Sequence, residues 1–204
     1  MKIAVTGFGA FPGVAVNISE SLISAWQTAP PQWGVEVELS VLPTSYQRAG
    51  DEVARIVTES RPDLLIMLGV APMAGTLRIE RFALNIDDSK SPDADGDVRM
   101  GRAIVAGKAM ALSTAIDVAS LRDAAVARGL EADVSNHAGT YVCNHAYYRA
   151  LLAARRRSHR TRVLFIHLPN AVDADKAERI RVLEHCKAAV DGVVRDLIGN
   201  AEGA

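Results

Sequence analysis

The sequence predicts an α/β fold, specifically a single-domain three-layer α/β/α sandwich around a mostly parallel twisted sheet. Three observations support this. Short apolar runs alternate with segments of helical period along the whole chain. The runs at 64–68 (LLIML) and 163–168 (VLFIHL) are almost wholly apolar, as strands covered on both faces are. No Pro/Ser-rich linker or internal repeat divides the 204 residues, so 1–204 is expected to form one domain with a sizeable core.

The elements follow in order. Residues 2–7 (KIAVTG) predict a first strand ending in glycine, and 18–28 a helix. In 35–42, Val35, Val37, Leu39 and Val41 alternate with Glu36, Glu38 and Ser40, the period of a half-exposed strand. Tyr46, Ala49, Val53, Ile56 and Val57 place a helix over 45–60, which Arg61-Pro62 stops. After the strand at 64–68, residues 77–86 (LRIERFALNI) predict a single strand with one polar-decorated face. Residues 87–113, rich in Asp, Gly and small residues, predict mostly a long loop. A helix is expected over 114–128 with Gly129 at its end, then a short strand ending at Val134-Ser135. A helix over 141–155, the strand at 163–168 and a long helix over 174–198 complete the pattern.

Composition excludes several classes. The chain is 49% hydrophobic and 23% charged, which rules out disorder and collagen-like repeats. A formal net charge of −1 gives no overall attraction to nucleic acid or to an anionic membrane. The dense block Arg155-Arg156-Arg157 with Arg160 and Arg162 has no interleaved aromatics to stack bases, so a solvated turn is expected there. Cys143 and Cys186 are too few for a disulfide framework, which favours a reducing compartment. No apolar leader region follows Lys2, and no uncharged run reaches the roughly 18 residues a span requires. The expectation is a cytoplasmic protein, with neither nucleic acid nor membrane as partner.

Three residues could carry chemistry. Cys143 lies in A-G-T-Y-V-C-N-H, residues 138–145, where a loop enters a helix with Thr140 as candidate N-cap. A cysteine in a first helical turn gains from unpaired N–H groups and the helix dipole, which favour thiolate and could hold an oxyanion. On position alone, a small buried structural cysteine is the reading the residue type favours. Cys186, mid-helix, is expected to be a packing or surface residue. His167 ends a strand, where ligands gather in open α/β sheets, and could be a general base or a core histidine. Glu80, on one face of the predicted 77–86 strand with Phe82, Leu84 and Ile86, needs a partner. Arg78 or a histidine would serve, and spacing does not choose between them.

Other patterns are weaker. The loop T-G-F-G-A-F-P-G, residues 6–13, is neither G-x-G-x-x-G nor a P-loop, and its two phenylalanines suit an apolar pocket. His137, Cys143 and His145 are close in sequence but include no C-x-x-C or H-E-x-x-H pair, so no metal is expected.

Together these segments resemble the pyroglutamyl peptidase I family, the pyrrolidone-carboxylate peptidases, over nearly the whole chain. The matching stretches are T-G-F-G-A-F with Asn17 and Ser19, L-P-T-S-Y at 42–46, I-E-R-F-A-L-N-I-D-D at 79–88, S-N-H-A-G-T-Y-V-C-N-H at 135–145 and F-I-H-L-P at 165–169. The resemblance implies Cys143 as nucleophile, His167 as general base and Glu80 as the carboxylate orienting it. It implies Phe8 and Phe11 as walls that sandwich a lactam ring, Asn17 as a brace of that loop, and Val142 and Lys90 as further substrate-binding residues. The implied reaction is removal of an N-terminal pyroglutamyl group from peptides through a thioester, with no cofactor. Family members commonly form dimers or tetramers, so a homodimer or homotetramer is the matching expectation.

The chain also departs from the family pattern. Ile18 stands where proline is usual, and Lys90 replaces an arginine expected near the developing oxyanion. The stretches L-G-V-A-P-M-A-G-T at 68–76 (with Val70), S-P-D-A-D-G at 91–96 and A-G-K-A-M-A-L-S-T-A-I-D at 106–117 also differ. A relative that binds without catalysing, or that hydrolyses another small amide, is therefore the competing reading.

Overall fold

The structure is a computed structural model that describes residues 1–11, 13–71, 76–155, 161–171 and 174–202, with side chains through 199. Its elements are β1 (Lys2–Phe8), α1 (Ile18–Thr28), β2 (Glu36–Leu42), α2 (Tyr46–Arg55), β3 (Leu64–Val70), β4 (Leu77–Glu80), β5 (Phe82–Leu84), β6 (Asp87–Ser89), β7 (Arg99–Arg102), β8 (Ala111–Ser113), α3 (Val118–Ala127), β9 (Ala132–Ser135), α4 (Val142–Ala154), β10 (Arg162–Leu168) and α5 (Lys176–Glu202). The central sheet has the order β2-β1-β3-β10-β4-β9. Every neighbouring pair in it is parallel except β10–β4.

Alternation along buried strands divides the core into two layers. Ile3, Val5, Ile66 and Leu164 pack with Leu22, Leu121 and Val190 of α1, α3 and α5. Ala4, Leu65, Met67 and Phe165 pack on the other face with Val53, Ala146 and Tyr147 of α2 and α4. This is the expected three-layer sandwich.

Several local expectations need correction. The predicted helix over 45–60 begins at its Ser45 cap but continues past Arg55 as a π-helical turn, Ile56–Ser60. It ends on Arg61 in the left-handed region (φ 51°), where the following proline disfavours helical backbone. The predicted strand 77–86 breaks at Arg81. There the backbone N–H donates to Ser135 O and the carbonyl accepts from Thr114 N, so β5 leaves the main sheet to pair with β8. Glu80 thus stays in the central sheet while Phe82 and Leu84 do not share its strand. The predicted loop 87–113 contains β6, β7 and β8, with β6 and β7 forming their own antiparallel pair. The helix expected from 114 starts at 118, because Asp117 caps it by accepting from Ala119 N and Ser120 N.

Arg156, Arg157 and Arg160, and residues 72–75 of the departing 68–76 stretch, lie outside the described residues. Arg155 is exposed, and Arg162 donates from Nη2 to Leu197 O. Among the described residues, no helix is long and apolar enough to cross a membrane.

Candidate active site

The site forms where the carboxyl ends of β1, β3 and β10 meet the N-terminus of α4. The antiparallel β10–β4 register sets Phe165 opposite Glu80 and His167 opposite Arg78. Side chains two apart share a face, so Glu80, Arg78 and His167 project together. His167 Nδ1 lies 2.7 Å from Glu80 Oε1. A carboxylate is an acceptor, which places the proton on Nδ1 and leaves Nε2 as the basic nitrogen. Glu80 is fully buried, and Arg78 Nε stands 4.0 Å from the same oxygen. Both sequence candidates for a Glu80 partner are therefore present, with the imidazole in hydrogen-bond contact and the guanidinium at the margin. Glu80 Oε2 has no hydrogen-bond partner among the described residues.

Cys143 is the second residue of α4 and is partly accessible. The cap is Tyr141 with extended backbone and no side-chain cap bond, so the expectation that Thr140 caps this helix is overturned. Thr140 Oγ1 instead donates to Asp88 O at 2.7 Å. The first-turn N–H groups thus point past the cap without a side-chain acceptor. Gly69 on β3 makes room for the sulfur. A Cβ there would lie 3.2 Å from Cys143 Sγ and 2.9 Å from Phe165 Cζ. Burial, and then the Glu80 charge, push the Cys143 thiol up to about 12. A backbone N–H at the start of α4 works in the opposite direction, favouring the thiolate.

Cys143, Glu80 and His167 line one cavity of about 440 Å³, with Phe8, Phe11, Val70, Ala71, Ala138 and Tyr141 as apolar wall and Asn17, Thr44, Ser89 and Ser91 as polar wall. Its volume suits a small ligand. The loop carrying the phenylalanines is fixed at Gly9, whose carbonyl accepts from Asn17 Nδ2 (3.2 Å) and Thr44 Oγ1 (2.8 Å). Asn17 Oδ1 also accepts from Ser19 N as the cap of α1.

Two expected residues are placed elsewhere. Val142 is fully buried in the layer beneath α4 and does not line the cavity, because the first helical turn directs its side chain into the core. Lys90 is exposed, and its neighbours Ser89 and Ser91 are the ones on the cavity wall. Cys186 is a core residue of α5. His137 lines the cavity and His145 is buried against Asp87. Among the described residues, no three His, Cys, Asp or Glu side chains are placed to hold a metal.

Sequence reasoning missed Tyr141, Thr44, Ser89 and Ser91 as wall residues. Tyr141 has a legible signal, since it stands two positions before the nucleophile. Thr44, Ser89 and Ser91 arrive by long-range packing that no local pattern announces.

Comparison with known proteins gives a consistent result. A family model described as pyroglutamyl peptidase matches residues 1–191. A pyrrolidone-carboxylate peptidase of Streptococcus suis is 35% identical over 170 residues, 83% of this chain and 78% of that protein. One from Clavibacter michiganensis is 30% identical over 205 residues, covering 98% and 93%. Among solved structures, the pyrrolidone carboxyl peptidase of Fervidobacterium islandicum superposes with a TM-score of 0.88 at 27% identity, covering 98% of this chain and 99% of that one. Pyroglutamyl peptidase I of Bacillus amyloliquefaciens gives a TM-score of 0.84 at 25% identity, covering 95% of each.

Proposed function

The chain belongs to the pyroglutamyl peptidase family, and on that premise we propose that it is a cysteine peptidase removing an N-terminal pyroglutamyl group from peptides. The observation that carries this reading is a free thiol and a His167–Glu80 pair on the wall of one small, largely apolar cavity. Residues 1–204 act as a single catalytic domain. The two free cysteines and a thiol nucleophile suit a reducing compartment.

The reaction follows from the roles. The lactam ring lies against Phe8 and Phe11, uncharged groups for an uncharged ring. Its amide meets the polar wall of Asn17, Thr44 and Ser89. His167 Nε2 takes the Cys143 proton as sulfur attacks the carbonyl that joins pyroglutamate to the next residue. Glu80 steadies the imidazolium that forms. The first-turn N–H groups of α4 receive the oxyanion. His167 then gives its proton to the leaving amine, and the pyroglutamyl group remains on sulfur as a thioester. Water, deprotonated by His167, splits the thioester to pyroglutamate and restores the thiol. A protein that only bound the lactam would have no use for a buried imidazole–carboxylate pair beside the thiol.

A panel of fluorogenic amides tests this. The pyroglutamyl amide should be cleaved, while prolyl, alanyl and glutamyl amides are not. Efficient cleavage of a prolyl or alanyl amide with none of the pyroglutamyl amide would reject the reading.

A further inference from the structure

Arg78 lines the same cavity, yet the hydrolytic steps make no use of it. Its Nη2 donates to Ser135 Oγ at 2.8 Å, and Ser135 Oγ donates in turn to His137 O at 3.2 Å. These contacts fix the guanidinium without exhausting it, since the group carries five N–H donors in a planar fork. Arg78 is also placed differently from Glu80. Its side chain is 39% exposed where that of Glu80 is 0%, so it meets solvent while Glu80 does not.

Charge and direction then combine. Among the described residues lining the cavity, Glu80 is the carboxylate; it is in hydrogen-bond contact with His167 and stands 4.0 Å from Arg78 Nε, so the guanidinium keeps N–H donors for a further anion. With the lactam at Phe8 and Phe11 and the carbonyl at Cys143, the leaving amine must lie beside His167 to receive its proton. Arg78 is directly opposite His167 in the strand register, so both side chains leave the same face of neighbouring strands, and the guanidinium, held toward Ser135 of β9, borders the side of the cavity into which the residue after pyroglutamate would extend. We propose that Arg78 is a specificity-determining residue, selecting substrates whose leaving group carries a carboxylate close to the scissile bond. The carboxylate is either the free C-terminus of a pyroglutamyl dipeptide or an acidic side chain directly after pyroglutamate. This rests on the pyroglutamyl-peptidase reading above.

The test compares kcat/KM within matched pairs. Pyroglutamyl-alanine is set against its amide, and pyroglutamyl-glutamate amide against pyroglutamyl-glutamine amide. The wild-type enzyme should favour the charged member of at least one pair by about three- to tenfold, the size of a half-exposed charged hydrogen bond, and added salt should shrink the ratio. The pair that responds identifies the source of the carboxylate. Arg78→Gln should bring that ratio to about one, and Arg78→Lys should keep part of it. Because each ratio compares two substrates on one enzyme, any common disturbance of Glu80 cancels. Ratios near one in the wild type, or a ratio that survives Arg78→Gln, would overturn the inference while hydrolysis of the neutral members leaves the proposed function standing. Failure to cleave any of the four would overturn both.

Discussion

Two histidine–carboxylate pairs lie close together in this protein, and they have opposite surroundings. In one, His167 Nδ1 meets Glu80 Oε1 at 2.7 Å. In the other, His145 Nδ1 meets both Asp87 oxygens, at 3.0 and 2.9 Å. Asp87 is further neutralised by Arg99 Nη1 at 2.9 Å, and that guanidinium sits 4.5 Å over the Tyr46 ring. The remaining nitrogen of His145 is packed against α2, where a Cβ on Gly50 would lie 2.7 Å from Nε2. His167 shares its cavity with a thiol, whereas His145 is buried and does not line that cavity. The chemistry of the pair is the same, and what differs is access to the second ring nitrogen. One pair can move a proton to a ligand. The other is a tether that holds α4 to β6, helped by Asn144 on the backbone of Leu84 and Ile86, and by Tyr141, whose hydroxyl donates to Pro92 O.

Substitutions can break this contrast. The largest effect is expected at the sulfur. Cys143→Ser should lower kcat by at least about a thousandfold with the fold intact by circular dichroism, while Cys186→Ser leaves turnover nearly unchanged. His167→Ala should cost at least about a hundredfold in kcat of the enzyme that remains folded, besides a stability loss from leaving Glu80 buried without its imidazole. His145→Ala should lose about 1–3 kcal/mol of stability in urea titrations while kcat of the folded enzyme falls less than tenfold. If His145→Ala instead removed activity without loss of stability, the tether reading would fail.

Glu80→Gln should reduce kcat by at least about tenfold, but less than Cys143→Ser, because the base remains. Full activity would make Glu80 a structural partner of Arg78. With the thiol pushed up to about 12, iodoacetamide should alkylate Cys143 in the free enzyme roughly tenfold faster per pH unit between neutral and mildly alkaline pH. A flat rate would mean a preformed thiolate. Lys90→Ala is expected to be the mildest change, within about twofold in kcat, because the side chain is exposed.

The same contrast shows what the sequence could reveal. The layers were legible because Leu64–Val70 and Arg162–Leu168 are apolar along their length and the helices between keep a 3.6-residue period. The break at Arg81 was not, because apolar alternation continues through Phe82 and Leu84 while tertiary hydrogen bonds redirect the backbone. β6 and β7 escaped notice because three- and four-residue strands of Asp, Ser, Arg and Gly with a single, exposed Met100 bury too little to leave a period. Cys143 at a helix start could be read locally, but the rise of its pKa comes from burial and then from Glu80, both set by packing distant in sequence. Lys90 showed its charge and concealed its direction.

The central claim is that Cys143 attacks a pyroglutamyl carbonyl inside this cavity. Labelling with a pyroglutamyl vinyl sulfone, a thiol-selective electrophile, followed by peptide mass spectrometry tests it most directly. The account predicts one adduct per chain on Cys143, none on Cys186, loss of activity in step with labelling, and protection by excess pyroglutamyl amide. Activity that survives complete labelling of Cys143, or inactivation with the adduct on another residue, would contradict it.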